Sequence, residues 1–213
     1  HDVVEFRMTS AGSRDSLGGQ IKGFLCGIYS PLGVRGMREV LFREKPDIVN
    51  VHNLYPFISP AALKECRKAG VPVVMTIHNF RLICPTGLFM RNGSPCEVCL
   101  LKGNEWSCIR YNCEHSMLKS VGYTLRNVWA RWTRAYKANV DRFACITDFQ
   151  RRKLIEAGYD EGKITVIPNS ADVPDSYIPV EGDYVAYIGR LSYEKGYDCL
   201  LYTSDAADDL IGV

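Results

Sequence analysis

Four short apolar runs alternate with helix-like stretches, and this alternation constrains the fold more than any other feature. The runs are Ile48-Val49-Asn50-Val51, Val71-Pro72-Val73-Val74-Met75-Thr76-Ile77, Arg142-Phe143-Ala144-Cys145-Ile146 and Lys163-Ile164-Thr165-Val166-Ile167. Near-continuous apolar strands need cover on both faces, which is the condition of a parallel sheet. Helices are expected over residues 34–44, 59–69, 116–137 and 148–157. Gly70 and Gly158 sit where a helix end favours the left-handed conformation. Thr147 and Gln150 have capping-box spacing. Two further strands are expected, at residues 3–6 and 183–188, and residues 9–32 read as a loop running into a weak helix. The expected fold is therefore α/β, a Rossmann-like parallel sheet with helices on both faces. Ligands of such sheets bind outside the carboxyl ends of the strands. His78 lies at one such end and His52 at another.

Residues 79–115 carry neither period and hold five of the nine cysteines. Cys96-Glu97-Val98-Cys99 is a chelating pair, and Cys108 with Cys113 would complete a tetrahedral structural zinc site. Their four-residue gap departs from the usual two, so unligated thiols and a redox disulfide stay open as alternatives. Cys84 is the spare thiol. A full thiolate shell leaves no open position, so no catalytic metal is expected. Cys26, Cys66, Cys145 and Cys199 are scattered in apolar or helical contexts and read as small buried hydrophobes.

Residues 116–137 form the longest expected helix. Met117, Val121, Leu125, Val128, Trp132 and Tyr136 step at helical spacing and mark one face for burial. Lys119, Arg126, Arg131, Arg134 and Lys137 occur with no acid between Glu114 and Asp141. Tyr123, Trp129, Trp132 and Tyr136 are interleaved with them. Two readings stand: a core-packed helix with a solvated basic face, or a helix lying against an anionic membrane surface. The formal net charge is only +2, which gives no electrostatic footprint for nucleic acid. No run of about 18 uncharged apolar residues is present to span a bilayer.

Three segments together resemble a family 4 retaining glycosyltransferase of GT-B fold. The first joins Pro46-Asp47-Ile48-Val49-Asn50-Val51-His52 to Val73-Val74-Met75-Thr76-Ile77-His78-Asn79. The second is Ile164-Thr165-Val166-Ile167-Pro168-Asn169-Ser170. The third, Tyr187-Ile188-Gly189-Arg190-Leu191-Ser192-Tyr193-Glu194-Lys195-Gly196, resembles the Gly-Arg-Leu…Glu-Lys-Gly signature that opens the donor-binding domain. Asn169-Ser170 departs mildly from the commoner Asn-Gly, since Asn also tolerates the left-handed conformation. The family's downstream Glu-x7-Glu element has no counterpart here.

The resemblance implies two Rossmann-like domains across a cleft. Residues 1–168 correspond to the acceptor-side domain, 169–182 to the interdomain linker and 183–200 to the start of the donor domain. Residues 201–213 break the pattern and are expected to be a non-native tail. The family's first strand is expected to precede His1, and a chain of this extent is expected to be inactive alone. The implied reaction moves a sugar, with retention, from a nucleoside-diphosphate sugar to a glycan or lipid-linked acceptor. It is expected in the cytoplasm, at the inner face of the plasma membrane, in the building of cell-envelope polysaccharide. Arg190 and Lys195 are the expected diphosphate-binding residues, because fixed cations stabilise the charge that develops on a leaving diphosphate. His78 is the expected catalytic residue, placed by the resemblance in the cleft. Two rival readings are a zinc-stabilised binding module and a nucleotide-sugar epimerase of the same fold.

Overall fold

The structure, a computed structural model, describes residues 2–9, 17–170, 187–189, 191 and 193–196. It divides into two compact units. The larger unit holds residues 1–89 and 97–169, and the smaller holds residues 90–96 and 170–213.

The larger unit opens with α1 (Leu17–Ile28) and α2 (Pro31–Glu44). Ser30 caps α2 by accepting the Gly33 N–H, and Pro31 supplies a helical φ in the first turn. Lys45 ends the helix in the left-handed conformation. The helix therefore starts three residues earlier than its apolar period indicates. Then come β1 (Val49–Val51), a 3-10 turn, α3 (Leu63–Lys68) and β2 (Val73–Ile77).

The smaller unit contributes the hairpin β3 (Met90–Arg91) and β4 (Ser94–Pro95). Asn92 and Gly93, both at positive φ, make its turn, the Asn-Gly pairing that two-residue hairpins favour. Back in the larger unit follow α4 (Val98–Leu101), α5 (Trp106–Arg110), α6 (Met117–Trp132), α7 (Ala135–Asn139), β5 (Arg142–Cys145), α8 (Asp148–Glu156) and β6 (Ile164–Val166).

The four strands of the larger unit form one sheet in the order β1-β2-β5-β6, and every pair is parallel. Phe143, Ala144 and Cys145 are all buried. Successive strand residues point to opposite faces, so this run is covered on both sides. Asp141 joins β2 to β5 at their starts: its Oδ2 accepts the Val73 N–H at 2.8 Å, and its own N–H donates to the Val73 carbonyl. At α8 the Thr147 hydroxyl accepts the Gln150 N–H, while Gln150 Oε1 accepts the N–H of Ile146.

Two expectations differ from the structure. Residues 3–6 form no strand: Val3 and Val4 are exposed, and Phe6 and Met8 pack against the core. The 116–137 helix is two helices, broken where Arg134 takes the left-handed conformation. Of the expected strand at 183–188 only Tyr187 and Ile188 lie among the described residues, and they carry no ladder. The linker beyond Ser170 and the tail lie outside the described residues.

Glu65 ties α3 to α2. Arg38 Nε donates to Oε2 at 2.9 Å and Lys68 Nζ to Oε1 at 2.7 Å. These two hydrogen bonds hold the Glu65 carboxyl below its ordinary pKa, with Arg38 the larger cause. A carboxyl depressed in the folded state stabilises the fold above its unfolded pKa, and that contribution disappears as pH falls through the folded value. Glu65→Gln should therefore lower the melting temperature at neutral pH and flatten the acid side of the stability curve. Melting temperatures of both proteins across the acid range check this, and parallel curves would contradict it.

Candidate active site

The parallel register of β1 and β2 places Val51 beside Met75. The next residue of β1 is His52, and β2 ends one residue before His78. Both histidines therefore emerge at the carboxyl edge of the sheet, where ligands of such sheets bind. They meet there: His52 Nδ1 and His78 Nε2 are 2.8 Å apart, and the rings stack with centroids 5.1 Å apart. One of these nitrogens must carry a proton and the other a lone pair, since two imidazoliums would present two donors to each other. The bond fixes the orientation of both rings and leaves His52 Nε2 and His78 Nδ1 for other partners.

The same local device holds each histidine. Asn53 Oδ1 accepts the Tyr55 N–H at 3.2 Å, and Asn79 Oδ1 accepts the Arg81 N–H at 3.0 Å. These Asx turns bend the chain immediately after the strand. A small recess of about 30 Å³ opens beside the pair, lined also by Tyr55, Thr76 and Arg81. His78 was expected here. The partnership with His52 was not, although Val-His-Asn and Ile-His-Asn recur at adjacent strand ends.

Behind the recess, Arg126 of α6 is buried, with only 7% of its surface exposed. Its guanidinium carbon lies 4.0 Å from the Tyr55 ring centroid and 4.5 Å from that of Tyr123. Nη2 donates to the Pro85 carbonyl at 3.0 Å. Burial draws its pKa below the usual arginine value, and the aromatic faces take the place of a carboxylate. Burial likewise pushes the phenols of Tyr55 and Tyr136 up, and Tyr136 donates its hydroxyl proton to Tyr55 Oη at 3.0 Å.

The expected apolar stripe is only partly buried: Met117 and Trp132 are exposed, Val121, Leu125 and Val128 are half-buried, and Tyr136, in α7, is buried. Ser120, Gly122, Thr124, Arg126, Asn127 and Ala130 are buried, whereas Met117, Leu118, Trp129 and Trp132 are exposed. The irregular segments around α6 account for its buried polar residues, because their backbone groups need partners. Asn127 Nδ2 donates to the Arg81 carbonyl at 2.7 Å, Thr124 Oγ1 to the Glu105 carbonyl, and Ser120 Oγ accepts the Glu114 N–H. Gly122 lets α6 approach Phe24 of α1 closely.

Among the clustered cysteines, Cys108 is buried in α5 and its thiol is pushed up to about 12, by burial first and by neighbouring Cys113 and Cys99 in smaller part. Cys84 is buried, with its Sγ 3.3 Å from Thr86 Oγ1. Cys96 lies in the smaller unit, directly after β4. Among the described residues no group of three or more His, Cys, Asp or Glu side chains is placed to hold a metal ion. Lys195 is exposed in a 3-10 turn, Tyr193–Lys195, of the smaller unit, and Arg190 lies outside the described residues. No helix among the described residues is long and apolar enough to cross a membrane.

Over 177 residues the chain is 27% identical to an uncharacterized 42.6 kDa protein in the cps region of Klebsiella pneumoniae. The match covers 82% of this chain and 41% of that protein, so the chain spans less than half the length of this relative. No solved structure gives a significant match. The family model for Glycosyltransferase Family 4 matches residues 20–174, which include the whole parallel sheet and both strand-end histidines, and the chain belongs to that family.

Proposed function

We propose that this chain is the acceptor-side part of an enzyme that transfers a sugar, with retention, from a nucleoside-diphosphate sugar to a glycan or lipid-linked acceptor of cell-envelope polysaccharide. The observation that carries the reading is the His52–His78 pair at the carboxyl edge of a parallel sheet. A histidine held rigidly there can hydrogen-bond the acceptor hydroxyl or the reacting sugar, and a fixed donor or acceptor costs no reorganisation as the reaction proceeds. His52 acts through His78 as a positioning residue. Arg190 and Lys195 supply positive charge for the leaving diphosphate. The exposed side chains of Met117, Leu118, Trp129 and Trp132 lie on the same helix as Lys119 and Arg131, which supports contact with the anionic cytoplasmic leaflet.

Deleting the gene in its source organism tests this reading. The envelope polysaccharide should lose one sugar or be truncated, and the full-length gene should restore it. A polysaccharide of unchanged composition and length would overturn the proposal.

A further inference from the structure

A second, larger cavity lies beneath the carboxyl end of α6. Its volume is about 360 Å³, within the roughly 300–1,000 Å³ range of small-molecule sites. It shares Arg81, Leu82 and Tyr136 with the histidine recess, so the two are neighbours. Four cations line it (Arg81, Arg131, Arg134 and Lys137) against one carboxylate, that of Glu105.

The partners of these groups are unequal. Arg131 Nη2 lies 2.9 Å from Glu105 Oε2 without hydrogen-bond alignment, and its Nη1 donates to the Gly103 carbonyl. Lys137 donates to the carbonyls of Ala157 and Gly158. Burial pushes the Glu105 carboxyl up, opposed by Arg131. Arg81 and Arg134 have no carboxylate within ion-pair distance among the described residues, and the Arg81 Nε is buried without an acceptor. Four cations against one carboxylate leave a surplus of positive charge on the cavity wall, which an anion would balance. A guanidinium offers paired donors that match two phosphate oxygens.

We propose that this cavity binds a diphosphate group, using Arg81 and Arg134 as its ligands. This deepens the transferase reading, on which the role of the bound group as part of the acceptor rests. Two sources carry such a group: a polyisoprenyl diphosphate in a membrane, or a soluble diphosphate. The cavity has apolar neighbours suited to the first. Leu101 and Trp132, at 79% and 75% exposure, directly follow the lining residues Leu100 and Arg131.

Calorimetric titration of the chain with inorganic diphosphate tests the site. Saturable binding that weakens with ionic strength is expected, and it should weaken about tenfold or more in Arg81→Gln and in Arg134→Glu. Arg134 is exposed and unpaired, so its variant keeps the test valid if Arg81→Gln fails to fold. Melting curves verify the fold of each. Co-sedimentation with phosphatidylcholine vesicles, with and without a polyisoprenyl diphosphate, then separates the sources. Selective sedimentation with the doped vesicles, competed by inorganic diphosphate, assigns the group to a lipid. Binding of inorganic diphosphate without vesicle capture assigns it to a soluble molecule. Absence of diphosphate binding, or an unchanged affinity in folded Arg134→Glu, overturns the proposal. A full-length protein that transfers no sugar would leave this titration intact, and an active transferase whose chain binds no diphosphate would overturn this inference alone.

Discussion

His78→Ala in the full-length enzyme should lower kcat by about 100-fold or more, with a smaller change in KM. A preorganised hydrogen-bonding group at the reacting centre typically contributes about two to three orders of magnitude. His78 extends from a buried strand and is held by His52 at 2.8 Å, so a loss of positioning and a loss of contact coincide in this variant. His52→Ala should cost less, about tenfold, because it frees the ring of His78 without removing it. The loss should fall on kcat, with KM and the melting temperature of the variant little changed, whereas a merely structural role would lower the melting temperature. Equal activity of His78→Ala and wild type would remove the histidine pair from the mechanism.

Gly33→Ala should be the most destabilising single methyl group in the described part of the chain. A Cβ at position 33 would stand 2.3 Å from the Ile58 carbonyl oxygen, and under 3.0 Å from two more backbone atoms of Ile58. No side-chain rotation relieves a clash with backbone, so the first turn of α2 must withdraw from the segment preceding α3. Withdrawal breaks the buried hydrogen bond that joins the two segments, the Ser30 N–H to Ser59 Oγ at 3.1 Å. Overpacking of this kind costs about 3 kcal/mol or more when backbone must shift, which for a chain of this size lowers the melting temperature by roughly 6–12 °C. Gly70→Ala is the control. Its Cβ meets open space, and its penalty comes only from a φ of +70°, about 1–2 kcal/mol. Thermal melts of the two variants rank them, and a Gly33→Ala protein as stable as Gly70→Ala would contradict this packing.

The sheet was legible in the sequence because parallel strands are covered on both faces and leave continuous apolar runs. The stops at Gly70 and Gly158 were legible because both residues take positive φ just past a helix. The orientation of α6 was not legible. Hydrophobic periodicity assumes that a helix packs against apolar elements alone, whereas α6 also meets the carbonyls of Arg81, Pro85 and Glu105 in irregular segments. Asn127 and Thr124 face inward for that reason, and the tryptophans stay outside. Arg126 read as a surface cation because no nearby acid marked it. The pairing partners are instead two tyrosines, one of them 71 residues away. His78 was placed by its strand and by the family resemblance. Its bond to His52 needed the register between β1 and β2, which the sequence does not state.

The central claim is glycosyl transfer at the carboxyl edge of this sheet, and one measurement addresses it most directly. The purified full-length enzyme is given a ¹³C-labelled nucleoside-diphosphate sugar and an extract of envelope acceptors, and the anomeric carbon is followed by NMR. The account predicts that the label leaves the nucleotide, appears on an acceptor with its anomeric configuration retained, and does so far more slowly in His78→Ala. Label that stays on the nucleotide, whether unchanged or epimerised, would contradict it.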